Sequence, residues 1–363
     1  MKSISFEDQL KTYGKTALIA GGVFGGIWAL DTLMESVLKE SDNYDDRYLL
    51  STEDGHKVAL YRYESAGETR NTPVLLVHGL SSNHRNLAMN DRDGLAQYLA
   101  RQGYDCWAVE LRGRVDEDSP DEPWGFDEYV QQDLPAAIKF IQTETESDTV
   151  HWIGHSMGGM AYLAYAGALD GSDDIQSGTS IGSPAILDEP AWIRVLGQCY
   201  FDIPHPVRAL IDRPMREIFN TIFRSIPTRV IFLLIIEKEI TLNGLRILAN
   251  AIENGLDPRI SLQFIEWISS EEWLDRGGTV DYRAGLENIE SPTMTVVGRR
   301  DYLCPDCETA GFDLIGTEDK RCLVGTEASG TEWEFDHLSL VFGKRATDEI
   351  FPEIEDWLAT HDD

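Results

Sequence analysis

Serine, aspartate and histidine acting together can cleave an acyl bond, and this chain presents them in a workable order. Ser156 stands in Gly154-His155-Ser156-Met157-Gly158, Asp301 follows the apolar run PTMTVVG at 292–298, and His337 follows in DHLSLVFG. A serine hydroxyl is a poor nucleophile at neutral pH, so an adjacent base must take its proton during attack. Histidine suits that role near pH 7. A carboxylate must then hold the imidazole's tautomer and stabilise the imidazolium.

The geometry that Ser156 needs is written around it. TVHWIG at 149–154 reads as a buried strand, and the alanine-rich stretch after Gly159 reads as a helix. A serine on the tight turn between them has its Oγ pushed clear of its neighbours. The amide of Met157 then lies at a helix N-terminus, where free N–H groups and the positive end of the dipole favour an oxyanion. A second oxyanion amide is expected from Leu80, at the end of the apolar run PVLLVHGL (73–80).

The same G-x-S-x-G string recurs at Gly178–Gly182, around Ser180. No helical pattern follows it, because SPAILDEP runs into a proline, so it reads as an inner strand with small residues. For the acid, Asp301 lies beyond a strand end, on the edge that would carry Ser156 in a parallel sheet. Asp336 is a local rival, although adjacent side chains rarely point at each other, and Asp188 is a third candidate. Among eight histidines, His337 follows the last strand, His361 lies beyond the last helix, and His78 reads as a loop-ordering residue.

These residues need a frame. Tyr48–Tyr63 reads as a hairpin about Glu53-Asp54-Gly55. Apolar strands then alternate with helical patterns: strand 73–80, helix 93–102, strand 104–111, helix 132–144, strand 149–154 and strand 175–182. That rhythm predicts an α/β chain with a mostly parallel central sheet flanked by helices. From 185 to 290 the period is helical, including Arg216–Arg224, Val230–Ile236, Leu242–Asn250 and the large apolar surfaces of Trp192, Trp267 and Trp273. Such an insertion between two strands is placed to cap the sheet edge where ligands bind. The sheet resumes at 292–298 and 320–324, and a last amphipathic helix spans about 345–358. The expected organisation is an apolar helix with a charged linker at 1–47, a catalytic domain at 48–184 and 291–363, and a helical cap at 185–290.

Composition narrows the partners. Sixty-three acidic residues against 31 basic ones give a net charge of −32, with 22 arginines and 9 lysines. Nucleic acid is excluded as an expected partner, because phosphate binding needs basic patches. The acidic, lysine-poor surface suits a medium of high ionic strength, where self-repulsion is screened, and equally suits plain acidic solubility. Residues 17–30, ALIAGGVFGGIWAL, are fourteen uncharged residues, short of the ~20 that cross a bilayer comfortably. Membrane contact, packing on the catalytic domain and a cleaved signal peptide are the three readings, so the location is cytoplasmic or membrane-associated unless a signal operates. The acidic loop DEDSPDEPWGFDEY (116–129) reads as a solvated face, with calcium binding as the alternative. Five cysteines do not describe a disulfide-built fold. Cys304 and Cys307 read as ordinary loop cysteines, the alternative being a disulfide with each other or with Cys322.

The order HGL, GHSMGG, VGRRD, DHLSLVFG resembles the α/β-hydrolase superfamily over about residues 48–358. STEDG, WGFDEYVQQDLPAAIKFI and the terminal HLxxxFG resemble acid-lipase-like and polyhydroxyalkanoate-synthase-like hydrolases most. The resemblance implies an α/β-hydrolase fold with Ser156 as nucleophile, Asp301 as acid, His337 as base, and the backbone N–H groups of Leu80 and Met157 as the oxyanion hole. The synthases use cysteine where Ser156 stands, which argues against polymerisation. The acid lipases commonly have glutamine where Met157 stands, a residue that would act through its backbone. The expected activity is therefore hydrolysis of carboxylic esters, with a medium- or long-chain acyl substrate and neither metal nor organic cofactor. Acyltransferase and thioesterase activities would use the same three residues, and a non-catalytic lipid-binding module is the alternative of another class.

Overall fold

The computed structural model describes residues 36–89, 94–115, 124–187, 242–252, 256–324 and 335–362, with positions 26, 29, 32 and 33 ahead of them. β1 (Asp46–Ser51) and β2 (Lys57–Tyr63) form the expected hairpin, with Ser51 opposite Lys57 across the turn. β3 (Val74–Val77), β4 (Cys106–Glu110), β5 (Val150–His155), β6 (Ile175–Ile181), β7 (Thr293–Val297) and β8 (Lys320–Val324) follow. The described strands make one eight-stranded sheet in the order β1-β2-β4-β3-β5-β6-β7-β8. β1, β2 and β4 pair antiparallel, and every pairing from β4 to β8 is parallel. Strands covered on both faces can be apolar at every position. VLLV of β3 and CWAVE of β4 are buried throughout.

Alternate residues of these strands feed two cores. Leu76, Ala108 and Ile153 pack with Leu95 and Leu99 of α1 (Leu95–Arg101) and with Phe351 and Ile354 of α6 (Phe351–Thr360). Val77, Val109 and Trp152 face the other way. They meet Leu134 and Ile138 of α2 (Leu134–Thr145) and Met160 and Leu163 of α3 (Met157–Ala168). The two layers of helix make each strand's period-two pattern a core residue on either side.

Within the stretch expected to be helical, α4 (Leu242–Ala251) and α5 (Pro258–Ser270) are described. Pro258 opens α5 and Asp257 caps it by accepting from the Arg259 amide, a contribution of about 1 kcal/mol. Asp188, Trp192, Arg216–Arg224, Val230–Ile236 and most of 17–30 lie outside the described residues, as does 116–123 of the acidic loop. Among the described residues no helix is long and apolar enough to cross a membrane.

Two expectations are corrected here. Asp127 is not part of a solvated face: it is buried and accepts from Gln263 Nε2 at 2.7 Å, Tyr282 Oη at 2.8 Å and Arg276 Nε at 3.0 Å. Burial leaves a carboxylate no water, so donors from three residues converge on it, and they tie α5 and the segment after it to the short helix Phe126–Glu128. Cys307 is not an ordinary loop cysteine, because it forms a disulfide with Cys322 on β8, their Cα atoms 6.3 Å apart; Cys304 is buried and free. The hairpin turn also has a structural partner: Asp54 binds both terminal nitrogens of the fully buried Arg112, whose Nε donates to Asp133 at 2.7 Å.

Candidate active site

Because β3, β5, β7 and β8 run parallel, their carboxyl ends share one sheet edge, and the residues that follow them meet there. Ser156 follows β5 directly. Its backbone takes φ 55° and ψ −119°, a left-handed conformation that costs a non-glycine residue on the order of 1–3 kcal/mol. Surrounding bonds impose it: the Ser156 amide donates to Ile181 at 2.8 Å, and its carbonyl accepts from Gly159 and Met160 at 3.0 and 3.1 Å. The turn is tight enough that a Cβ on Gly158 would sit 2.2 Å from the Val77 carbonyl oxygen. The residue is left partly exposed between a buried strand and a buried helix.

Asp301 and His337 come together although 36 residues separate them: Asp301 Oδ2 lies 2.8 Å from His337 Nδ1. The other carboxylate oxygen accepts from the amides of Leu303 and Cys304 at 2.8 and 3.2 Å. A carboxylate only accepts, so the shared proton resides on Nδ1 and the lone pair on Nε2, the arrangement that a base needs. Burial works to depress the His337 pKa, but the charge and hydrogen bond of Asp301, with a smaller push from Asp336, hold it above its ordinary value. Asp301 is likewise pushed up by burial, yet His337 and the two amides keep it below the usual carboxylate range. Gly182 makes room for the pair, since a Cβ there would lie 2.9 Å from Asp301 Oδ2 and 3.3 Å from His337 Nδ1.

The rival residues are occupied elsewhere. Asp336 Oδ1 accepts from the amides of Leu338 and Ser339 at 3.0 and 2.9 Å, capping the turn that follows instead of reaching back. His361 is near the opposite edge, where its carbonyl accepts from Gln176 at the start of β6. His78 is buried, with Nδ1 2.9 Å from its own loop's Gly79 carbonyl, and burial lowers its pKa. Ser180 lies inside β6 with its hydroxyl buried and unpaired.

Leu80 lies three residues beyond β3 and Met157 at the first position of α3. The Met157 amide is one of the N–H groups that a helix start leaves unpaired. Leu80 belongs to a loop held by side chains that the motifs did not reveal. Asn86 Oδ1 accepts from the Gly79 amide at 2.9 Å and lies 3.0 Å from His155 Nδ1. Arg85 donates to Asn250 on α4 at 2.7 Å and to the Glu40 carbonyl at 2.8 Å. His84 stacks on Tyr61 and pairs with Glu110 at 2.8 Å. The signal for these was the polar run SSNHRN directly after a buried strand, but its partners are remote in sequence. Among the described residues no group of histidines, cysteines and carboxylates could hold a metal ion.

An eight-stranded, mostly parallel sheet with a serine turn after its central strand, and a buried carboxylate–imidazole pair on the same edge, defines a class of protein. Residues 72–205 match the family described as alpha/beta hydrolase fold. The poly(3-hydroxyalkanoate) polymerase subunit PhaC of Haloferax mediterranei is 21% identical over 318 residues, covering 84% of this chain and 62% of that one. Human lysosomal acid lipase/cholesteryl ester hydrolase is 31% identical over 156 residues, 38% of this chain and 39% of its own. Thus the chain spans less than two thirds of the length of these relatives. Among solved structures, a thermophilic esterase of Thermogutta terrifontis superposes with a TM-score of 0.54 at 16% identity, covering 88% of this chain and 100% of its own. A bacterial membrane phospholipase A does so with a TM-score of 0.53 at 14% identity, covering 98% and 99%. The chain has the α/β-hydrolase fold.

Proposed function

We propose that this chain is a serine hydrolase that cleaves carboxylic esters through an acyl-enzyme. Ser156 Oγ attacks the ester carbonyl while His337 Nε2 takes its proton. The tetrahedral oxyanion is received by the Leu80 and Met157 amides, and the alcohol leaves with the proton from His337. Water, activated by the same imidazole, then releases the acid. Asp301 keeps the proton of His337 on Nδ1 and stabilises the imidazolium. Each oxyanion amide contributes about 3 kcal/mol to the transition state. The observation that carries the reading is the 2.8 Å Asp301–His337 pair on the edge where Ser156 holds its left-handed turn.

The substrate is proposed to be a medium- or long-chain acyl ester. Supporting this are the lipase names among the relatives and the apolar stretch at 17–30, through which membrane contact would occur. We also propose that the stretch 185–290 caps a catalytic domain of 48–184 and 291–363, which would suit such a substrate. The described part of that stretch is fastened to the short helix Phe126–Glu128 at Asp127 and to the Leu80 loop through Asn83, whose Nδ2 donates to the Asn250 carbonyl at 2.9 Å. Hydrolysis of an acyl-ester series from acetyl to palmitoyl, by wild type and Ser156→Ala at low and high salt, tests both claims. Activity that survives in Ser156→Ala overturns the nucleophile, and a preference for acetyl over octanoyl overturns the lipid substrate. The broad alignment with a polymerase subunit favours one second reading, acyl transfer from the same acyl-enzyme. Adding alcohol or thiol acceptors and analysing the products separates transfer from hydrolysis.

A further inference from the structure

Three parts of the site, the Leu80 loop, the serine turn and the His337 loop, are joined by two side chains with no role in the proposed reaction. Asn86 Oδ1 takes the Gly79 amide at 2.9 Å and faces His155 Nδ1 at 3.0 Å. His155 Nε2 lies 2.9 Å from the main-chain oxygen of His337, and the two imidazole rings are 4.8 Å apart. Both side chains are buried, His155 at 2% exposure and Asn86 at 0%, so water does not substitute for either contact. Gly79 precedes the proposed oxyanion donor, His155 precedes the proposed nucleophile, and the carbonyl belongs to the proposed base itself.

We infer that Asn86 and His155 are positioning residues: the His155 Nε2–H donated to the His337 carbonyl holds the base on Asp301, and Asn86 holds the oxyanion loop. The inference rests on the serine-hydrolase reading above. A neutral imidazole has one N–H, and here both ring nitrogens face oxygen acceptors. Burial first, and then the positive charge that His337 acquires, push the His155 pKa down to about 3, so a doubly protonated ring does not resolve the conflict at neutral pH. The proton must therefore choose between Asn86 and the His337 carbonyl. With the proton on Nε2 the base is held. With it on Nδ1, a lone pair faces that carbonyl and the base loop is loosened. The choice of Nε2 leaves the Nδ1 lone pair facing Asn86 Oδ1, on a side chain whose Nδ2 is also buried with no partner.

Two amides imitate the two nitrogens separately. The side chain of His155→Gln reaches the Nε2 position and can donate to His337, whereas that of His155→Asn reaches only the Nδ1 position beside Asn86. The charged or titratable groups facing His337 are Asp301, Asp336 and His155. Of these, Asp301 raises the His337 pKa most, so a loosened base moves toward ordinary imidazole behaviour. The expected result is a His155→Asn variant with kcat reduced tenfold or more, KM within twofold of wild type, and the acid limb of kcat/KM displaced to lower pH. His155→Gln should keep kcat within about threefold and leave the limb in place. Asn86→Ala should lower kcat about fivefold with the limb unmoved, because it releases the oxyanion loop and not the base. A displaced limb in His155→Gln, or equal losses in both His155 variants with an unmoved limb, overturns the inference; the first outcome decides even if His155→Asn does not fold. Ser156→Ala, assayed alongside, keeps the two readings apart: if it is inactive while the His155 variants behave as wild type, only this inference fails.

Discussion

Ser156 and Ser180 sit in the same five-residue pattern on neighbouring strands, so close that Gly154 and Ser180 are register partners between β5 and β6. One strand ends before its serine and hands the chain to a helix; the other carries its serine inside the ladder, followed by the turn at Gly182. The first hydroxyl is presented at the carboxyl edge, and the second is sealed in the sheet's interior. The contrast teaches that the glycines of such a pattern matter through what the backbone does next. At Ser156 they allow the helix to press against β3; at Ser180 the flanking Gly178 accommodates the Tyr162 ring, which a Cβ would meet at 1.9 Å.

The comparison can be broken most severely by Ser156→Ala, which is expected to lower kcat on the order of 10⁴-fold or more, read as ester turnover by purified, folded protein. Asp301→Asn should lower kcat on the order of 10²–10⁴-fold, because an amide no longer fixes the proton on Nδ1. Asp336→Asn, which keeps the oxygen that caps its turn, should stay within about tenfold. Measuring both tells whether the nearer carboxylate in sequence has any share in the work.

The pH profile sharpens the same contrast. On the proposed mechanism attack needs neutral His337, whose pKa in the fold is raised, so kcat/KM should fall about tenfold per unit on acidification, from a midpoint above the ordinary imidazole value of about 6.5. A midpoint below it would show that Asp301 does not hold the ring in solution. The raised pKa also means that the Asp301–His337 contact stabilises the fold most below the unfolded histidine's pKa and loses that contribution as pH rises through the folded value. Asp301, with its lowered pKa, contributes in the opposite sense: its stabilisation is lost as pH falls through its folded value.

Smaller effects should follow at the Asp301 loop and at Ser180. The Cys307–Cys322 bridge closes a separation of 15 residues just beyond Asp301, and its removal in Cys307→Ser should cost about 3 kcal/mol in denaturant titrations. Equal midpoints for the variant and for wild type in reductant would assign the whole effect to that bridge. Ser180→Ala should be nearly silent, within about twofold in activity and about 1 kcal/mol in stability, since the hydroxyl it removes is buried without a partner.

Much of this was legible along the chain. Hairpin, parallel strands and flanking helices followed from the switch between two-residue and helical periodicity. Ser156 and Asp301 could be picked out because each follows an apolar run, and His337 because it comes after the last strand. Asn86 and His155 could not, because their contacts join residues up to 182 positions apart, and only the folded sheet brings the ends of its strands together. Asp127 looked like one more charge in an acidic stretch, since sequence shows a carboxylate but not the Gln263, Tyr282 and Arg276 donors that make its burial affordable. The cysteines misled for a related reason: the C-x-x-C spacing drew attention to Cys304, while the fold brings Cys307, in the loop beyond β7, to Cys322 on β8.

The backbone of Ser156, at φ 55° and ψ −119°, is a conformation that glycine adopts without strain. A glycine there would relieve about 1–3 kcal/mol of strain while removing the proposed nucleophile. On the proposed mechanism serine is needed at this residue at a cost in stability, so a lineage that ceased to need the reaction should lose it here early, and keep the fold long afterwards.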